Sequence, residues 1–187
     1  GQKFLHVDYQ LGYCMAHAGI SPEFDLGMAM MYAKSVEEKL QSEHASVWLE
    51  QMLKQGSNRF DREASLIDID RYIVSAFTRM RFCYGDHRLE FDQKGPPTDE
   101  LREQGLKPWF ECDYRKDIHL RIIMGHWSAL GFYEDEHVLA LDTGCVWGGK
   151  LTAARIDSDD VEIVSVECVN KDEDEGEEPT SPDAPQM

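Results

Sequence analysis

Apolar residues recur along this chain with two different periods, and the change of period marks out its elements. Lys3–Asp8 and Leu11–Ala16 are strand-like runs on either side of a short turn, which predicts an N-terminal hairpin. The second run ends at His17-Ala18-Gly19, where small residues allow a sharp turn. The period then lengthens. Leu26, Ala29, Met30, Ala33, Val36 and Leu40 share one face of a helix that Asp25 can cap. Ala45, Trp48, Leu49, Met52 and Leu53 form a second helical stretch ended by Gly56, and the methionines between Met28 and Met31 read as core packing. The clearest stripe is Ile69, Tyr72, Ile73, Ala76, Phe77 and Met80, which predicts a helix over 67–80. Beyond it, Arg81–Tyr84 and Leu89–Asp92 read as strands joined through Gly85-Asp86, followed by a loop from Gly95-Pro96-Pro97 towards Pro108-Trp109. The last third is strand-rich, with 119–124, 137–141, 151–156 and 161–168 as candidates. Helices ahead of strands imply an α/β (α+β) fold whose C-terminal sheet is mixed or antiparallel.

Composition narrows the function. Residues 171–187 hold seven acidic side chains and three prolines, with only Ala184 and Met187 apolar, so 170–187 is expected to be a disordered acidic tail behind one domain at 1–169. The formal charge is −17 and the pI about 4.7, which excludes holding nucleic acid by non-specific charge. No uncharged run is long enough to span a bilayer, and no signal peptide is visible. The five cysteines form no CxxC pair and cannot all close into disulfides, so a reduced, cytoplasmic setting is the simplest expectation. The absence of an initiator Met suggests a fragment, a processed chain or an expression product.

Two of the seven histidines stand apart. His17 and His126 each follow an apolar strand, where the chain leaves the sheet and side chains can converge. A neutral imidazole in such a place suits a divalent metal; hydrogen-bonded rim histidines are the alternative.

The blocks around these histidines resemble a known family. Met15-Ala16-His17-Ala18-Gly19-Ile20-Ser21-Pro22 resembles a histidine motif of phosphoprotein-phosphatase-type metallophosphoesterases, and Gly125-His126-Trp127-Ser128-Ala129-Leu130 resembles that superfamily's final Gly-His motif. With Ala76–Cys83, Leu106–Phe110 and Ala140–Thr152 they form an ordered set, spanning about residues 3–156, similar to the symmetrical bis(5′-nucleosyl)-tetraphosphatases. That resemblance implies a partial four-layer α/β/β/α fold, a two-metal site commonly holding manganese or cobalt, and symmetrical cleavage of diadenosine tetraphosphate into two ADP. It implies His17 and His126 as metal ligands, Asp142 as a residue that orients a ligand or holds the Asp-Thr-Gly turn, and a dinucleoside polyphosphate as substrate. Arg79 and Arg81 are candidates for gripping phosphate, because guanidinium meets phosphate oxygens in a fixed fork. Trp127 and Trp147 flank the blocks and could stack on a base.

The family's earlier Asp-x-His, Gly-Asp and Gly-Asn-His-Asp motifs have no counterpart in place. Asp117-x-His119 and Asp135-x-His137 spell part of the pattern in the wrong context. The chain therefore reads as the C-terminal two-thirds of such an enzyme, expected to be inactive alone. Two other functions remain open: a non-catalytic binding module derived from the phosphatase fold, and a metallophosphatase acting on phosphoprotein or capped RNA.

Overall fold

The structure is a computed structural model, and it describes residues 2–52, 54, 56–158 and 160–169. The expected tail at 170–187 lies outside the described residues.

Leu5–Asp8 (β1) and Tyr13–Ala16 (β2) form the expected antiparallel hairpin. Two long helices follow, Leu26–Leu40 (α1) and Leu66–Arg79 (α3), with the shorter Ala45–Met52 (α2) between them. Both long helices start at side-chain caps: Asp25 accepts from the Met28 N–H, and Ser65 from the Asp68 N–H. Each satisfies an amide that would otherwise lack a partner in the first turn. In α1, Ala29, Ala33 and Val36 are buried, but Met30 and Met31 are 41 % and 55 % exposed. The expectation that these methionines pack in the core fails there. The buried stripe follows the i, i+4, i+7 line through the alanines, and the two methionines fall on its outer flanks.

After α3 come Phe82–Tyr84 (β3), Leu89–Glu90 (β4), the short helix Asp99–Glu103 (α4) and Leu106–Pro108 (β5). They make a small antiparallel sheet in the order β4-β3-β5. Arg121–Met124 (β6), Tyr133–Glu134 (β7) and Val138–Ala140 (β8) join the hairpin in a mixed sheet ordered β1-β2-β6-β8-β7. The chain ends in a third sheet, β11-β10-β9, built from Asp142–Thr143 (β9), Lys150–Arg155 (β10) and Glu162–Glu167 (β11). The fold is thus mixed α/β, with a mixed central sheet and two antiparallel ones.

Alternation along the strands gives the central sheet two faces. The rows Leu5-Ala16-Met124-Ala140 and Val7-Cys14-Ile122-Val138 look into the core, which α1 and α3 complete with Ala33, Val36, Ile73, Ala76 and Phe77. The other face carries the row His6-Met15-Ile123-Leu139, in which Met15 is 46 % exposed.

The cysteines depart from the reduced reading. Cys83 is bonded to Cys112, and Cys145 to Cys168, whose Cα atoms are 5.3 Å apart; only Cys14 is free. Which cysteines meet depends on topology, which neither spacing nor an odd count reveals.

Candidate functional site

The parallel strands β2, β6 and β8 lie side by side and end in register, Ala16 beside Met124 and Met124 beside Ala140. The residues that follow them, His17, Gly125-His126 and Leu141-Asp142, are therefore carried to the same edge of the sheet. In open sheets with parallel strands, this carboxyl edge is where side chains converge on ligands. Backbone bonds fix the exits. The Gly125 N–H donates to the His17 carbonyl at 3.0 Å, the Leu141 N–H to Met124 at 2.9 Å, and the Ala18 N–H to Phe77 of α3 at 2.8 Å.

His126 has φ = +67°, and the Trp127 N–H donates to the Gly125 carbonyl at 2.8 Å, so the histidine sits at the centre of a tight γ-turn. This backbone is costly for any residue with a Cβ. His87 and His119 share the positive φ, but only His126 turns towards a second imidazole. His126 Nδ1 lies 3.2 Å from His17 Nε2. Two nitrogens each about 2.1 Å from one ion, at angles between octahedral and tetrahedral, stand roughly 3.0–3.4 Å apart. The separation is that of an imidazole–imidazole hydrogen bond and also of two nitrogens in adjacent positions on one ion. The His126 Nε2 atom is buried and makes no hydrogen bond. Burial, with the Arg81 and His17 charges adding to it, lowers the His126 pKa to about 4. At neutral pH its ring is uncharged, as a ligand must be.

A cleft of about 970 Å³ opens over the second face of the central sheet at this edge, lined by Phe4, Met15, His17, Ile123, His126 and Asp142 among others. Asp142 Oδ1 accepts from the Gly144 N–H at 3.1 Å and so braces the Asp-Thr-Gly turn. The arginines diverge. Burial lowers the Arg81 pKa, the Arg79 charge adds to this, and Asp142 opposes it; Arg81 is thus in the electrostatic neighbourhood of His126 and Asp142. The Arg79 guanidinium instead lies over the Phe91 ring, 5.2 Å from its centroid, in a separate polar cleft with Asn58 and Glu90. Trp127 is 2 % exposed, packs on Phe82 and donates its indole N–H to the Gly95 carbonyl, so it cannot stack on a base. Trp147 is 74 % exposed. Asp117 and His119 are exposed and pair with each other. Among the described residues, no group of three or more His, Cys, Asp or Glu side chains is arranged to hold a metal ion.

Fold and site together define a mixed α/β protein with a pair of imidazoles at the carboxyl edge of its central sheet. Several curated proteins similar to it carry one name, symmetrical bis(5′-nucleosyl)-tetraphosphatase. The one from Vibrio parahaemolyticus is 46 % identical over 143 residues, 76 % of this chain and 53 % of its own length. That from Xanthomonas axonopodis pv. citri is 42 % identical over 171 residues, 88 % of this chain and 52 % of its own. One from Vibrio vulnificus is 44 % identical over 143 residues, with 76 % and 53 % covered. The chain spans about half the length of the curated relatives it matches. No family model matches it. A solved structure whose title gives it provisionally as a diadenosine tetraphosphatase covers 89 % of this chain and 51 % of its own, at TM-score 0.46 and 18 % identity, too loose a likeness to carry weight.

Proposed function

We propose that this chain is part of a metal-dependent hydrolase that splits diadenosine tetraphosphate symmetrically into two ADP. The observation that carries the proposal is the His17–His126 pair, 3.2 Å apart at the cleft, in a chain 42–46 % identical to proteins named for that reaction. Similarity to named enzymes favours this over a non-catalytic binding module. A cytoplasmic setting is proposed on the similarity to these enzymes alone, because the two disulfides remove the argument from reduced cysteines. Among the described residues no helix is long and apolar enough to cross a membrane.

His17 Nε2 and His126 Nδ1 would hold one divalent ion, with manganese or cobalt proposed on the resemblance. Bound there, the ion would supply positive charge to polarise a phosphoryl oxygen and to acidify a water. The chain's own groups do the rest of the positioning. The γ-turn aims the His126 ring at His17 before any ligand arrives, which lowers the ordering cost of binding. Arg81 places a permanent charge near the pair, suited to hold a polyphosphate oxygen in a directed fork. Asp142 keeps the turn beside it closed and adds negative charge that tempers Arg81.

Two neutral imidazoles contribute no charge to offset a divalent ion, and two-metal chemistry ordinarily uses carboxylates as well. ADP release from diadenosine tetraphosphate should therefore be slower for the 187-residue chain than for a full-length relative, by at least roughly 10²-fold. Placing Arg81→Ala in the relative should raise KM or lower kcat with little change in melting temperature. Full turnover by the chain in manganese would contradict the first expectation, and unchanged kinetics in the variant the second.

A further inference from the structure

The loop between β9 and β10 is held firmly yet presents an indole to water. Gly144 and Gly148 bracket it with φ of +75° and +78°, a left-handed backbone that glycine adopts without strain. Three backbone bonds cross it: Trp147 N–H and Gly149 N–H both donate to the Gly144 carbonyl at 2.9 Å, and Gly148 N–H to Cys145 at 3.0 Å. A side chain at Gly149 would overlap the Thr143 carbonyl, so the loop closes on itself with no room to spare. Asp142 braces its entrance, and the Cys145–Cys168 bond ties it to the end of β11. A loop this constrained could fold its apolar side chains inward. Instead Val146 and Trp147 stay 81 % and 74 % exposed, while Trp109 and Trp127 are almost fully buried.

Its position relates the indole to the histidine pair. Trp147 Cδ1 is 3.9 Å from where a Cβ would stand at Gly144, and Ser128 Cβ is 3.7 Å from the same point. Ser128 is two residues after His126, and two residues span at most about 7 Å of chain. Gly144 is likewise two residues after Asp142, which lines the cleft. The indole is thus within about 16 Å of the His126 Cα, beyond the residues that line the cleft and at a span a dinucleoside polyphosphate can bridge.

We propose that Trp147 is a platform on which one base of the dinucleoside substrate stacks while the phosphates occupy the histidine cleft. The inference rests on the functional reading above and adds a specificity residue to it. The chemistry fits a purine: an indole face gives broad, sequence-tolerant stacking, and a rigid loop loses little freedom when the base arrives. The occupant follows from charge as well as shape. A nucleotide brings an apolar ring to the indole and a polyphosphate to Arg81 and the metal position, whereas a bare polyphosphate has nothing to place on Trp147.

The test is calorimetric titration of the 187-residue chain with ADP and with tripolyphosphate, both with manganese present. Trp147→Ala should weaken ADP binding roughly 5- to 100-fold and leave tripolyphosphate within about twofold of the original chain. Trp147→Phe, which keeps a smaller ring, should recover much of the ADP affinity. Melting temperatures should not move, because the side chain is exposed. If Trp147→Ala binds both ligands as the original chain does, the platform is overturned and the phosphate-site reading stands. Equal losses for ADP and tripolyphosphate also overturn it, because the tryptophan would then act on the loop rather than on a base. If the original chain binds neither ligand, the platform and the functional reading fall together.

Discussion

Strain and burial at single residues separate what serves the fold from what serves the site. His126 holds a left-handed backbone and leaves a ring nitrogen buried without a partner, two costs that no packing contact explains. Asparagine tolerates that backbone better, so His126→Asn should leave the melting temperature unchanged or raise it while weakening metal binding. Thermal denaturation checks this, and a melting temperature several degrees lower would show that His126 is a structural residue. Cys14 behaves in the opposite way. Burial in the central sheet raises its thiol pKa to about 11, so at pH 8 almost none of it is thiolate. It should resist alkylation in the folded chain and react only on unfolding, or slowly as the pH approaches 11. Rapid labelling at pH 8 would show that the strand opens.

Helices and strands carried the most legible signals, because their spacing is set by backbone geometry. The helix predicted over 67–80 matched α3 to within a residue at each end, and Asp25 capped α1 as expected. Relations between elements were less legible. Arg79 and Arg81 are two residues apart in sequence but differ in surroundings: Arg79 lines a polar cleft with Asn58 and Glu90, and Arg81 is close enough to His126 to lower its pKa. The difference arises because Met80 between them adopts an extended backbone with ψ = 138° and the chain changes from helix to strand there. The disulfides and the packing of Trp127 likewise depend on neighbours that no local pattern names. Asp70 is another such case. It lies on the buried stripe of α3, accepts from Lys39 Nζ of α1 and at 2.8 Å from Trp48 Nε1 of α2, and so ties three helices together. Asp70→Ala should cost about 2–4 kcal/mol in chemical denaturation, since it strands a charge and an indole N–H that are partly buried. A cost below about 0.5 kcal/mol would mean that apolar packing alone holds the helices.

Across the whole molecule, three parallel strands end in register and deliver three chain exits to one edge. That arrangement, more than any single motif, places His17, His126 and Asp142 together. The histidines were legible through the blocks around them; their 3.2 Å approach required the γ-turn and the strand order, which only the fold supplies. The most direct test of the account is cobalt titration of the 187-residue chain, followed by visible absorption and calorimetry and compared with His17→Ala. The account predicts one ion per chain with nitrogen ligation, weakened at least about tenfold in His17→Ala while the fold is retained. Equal stoichiometry and affinity in the two proteins would contradict it.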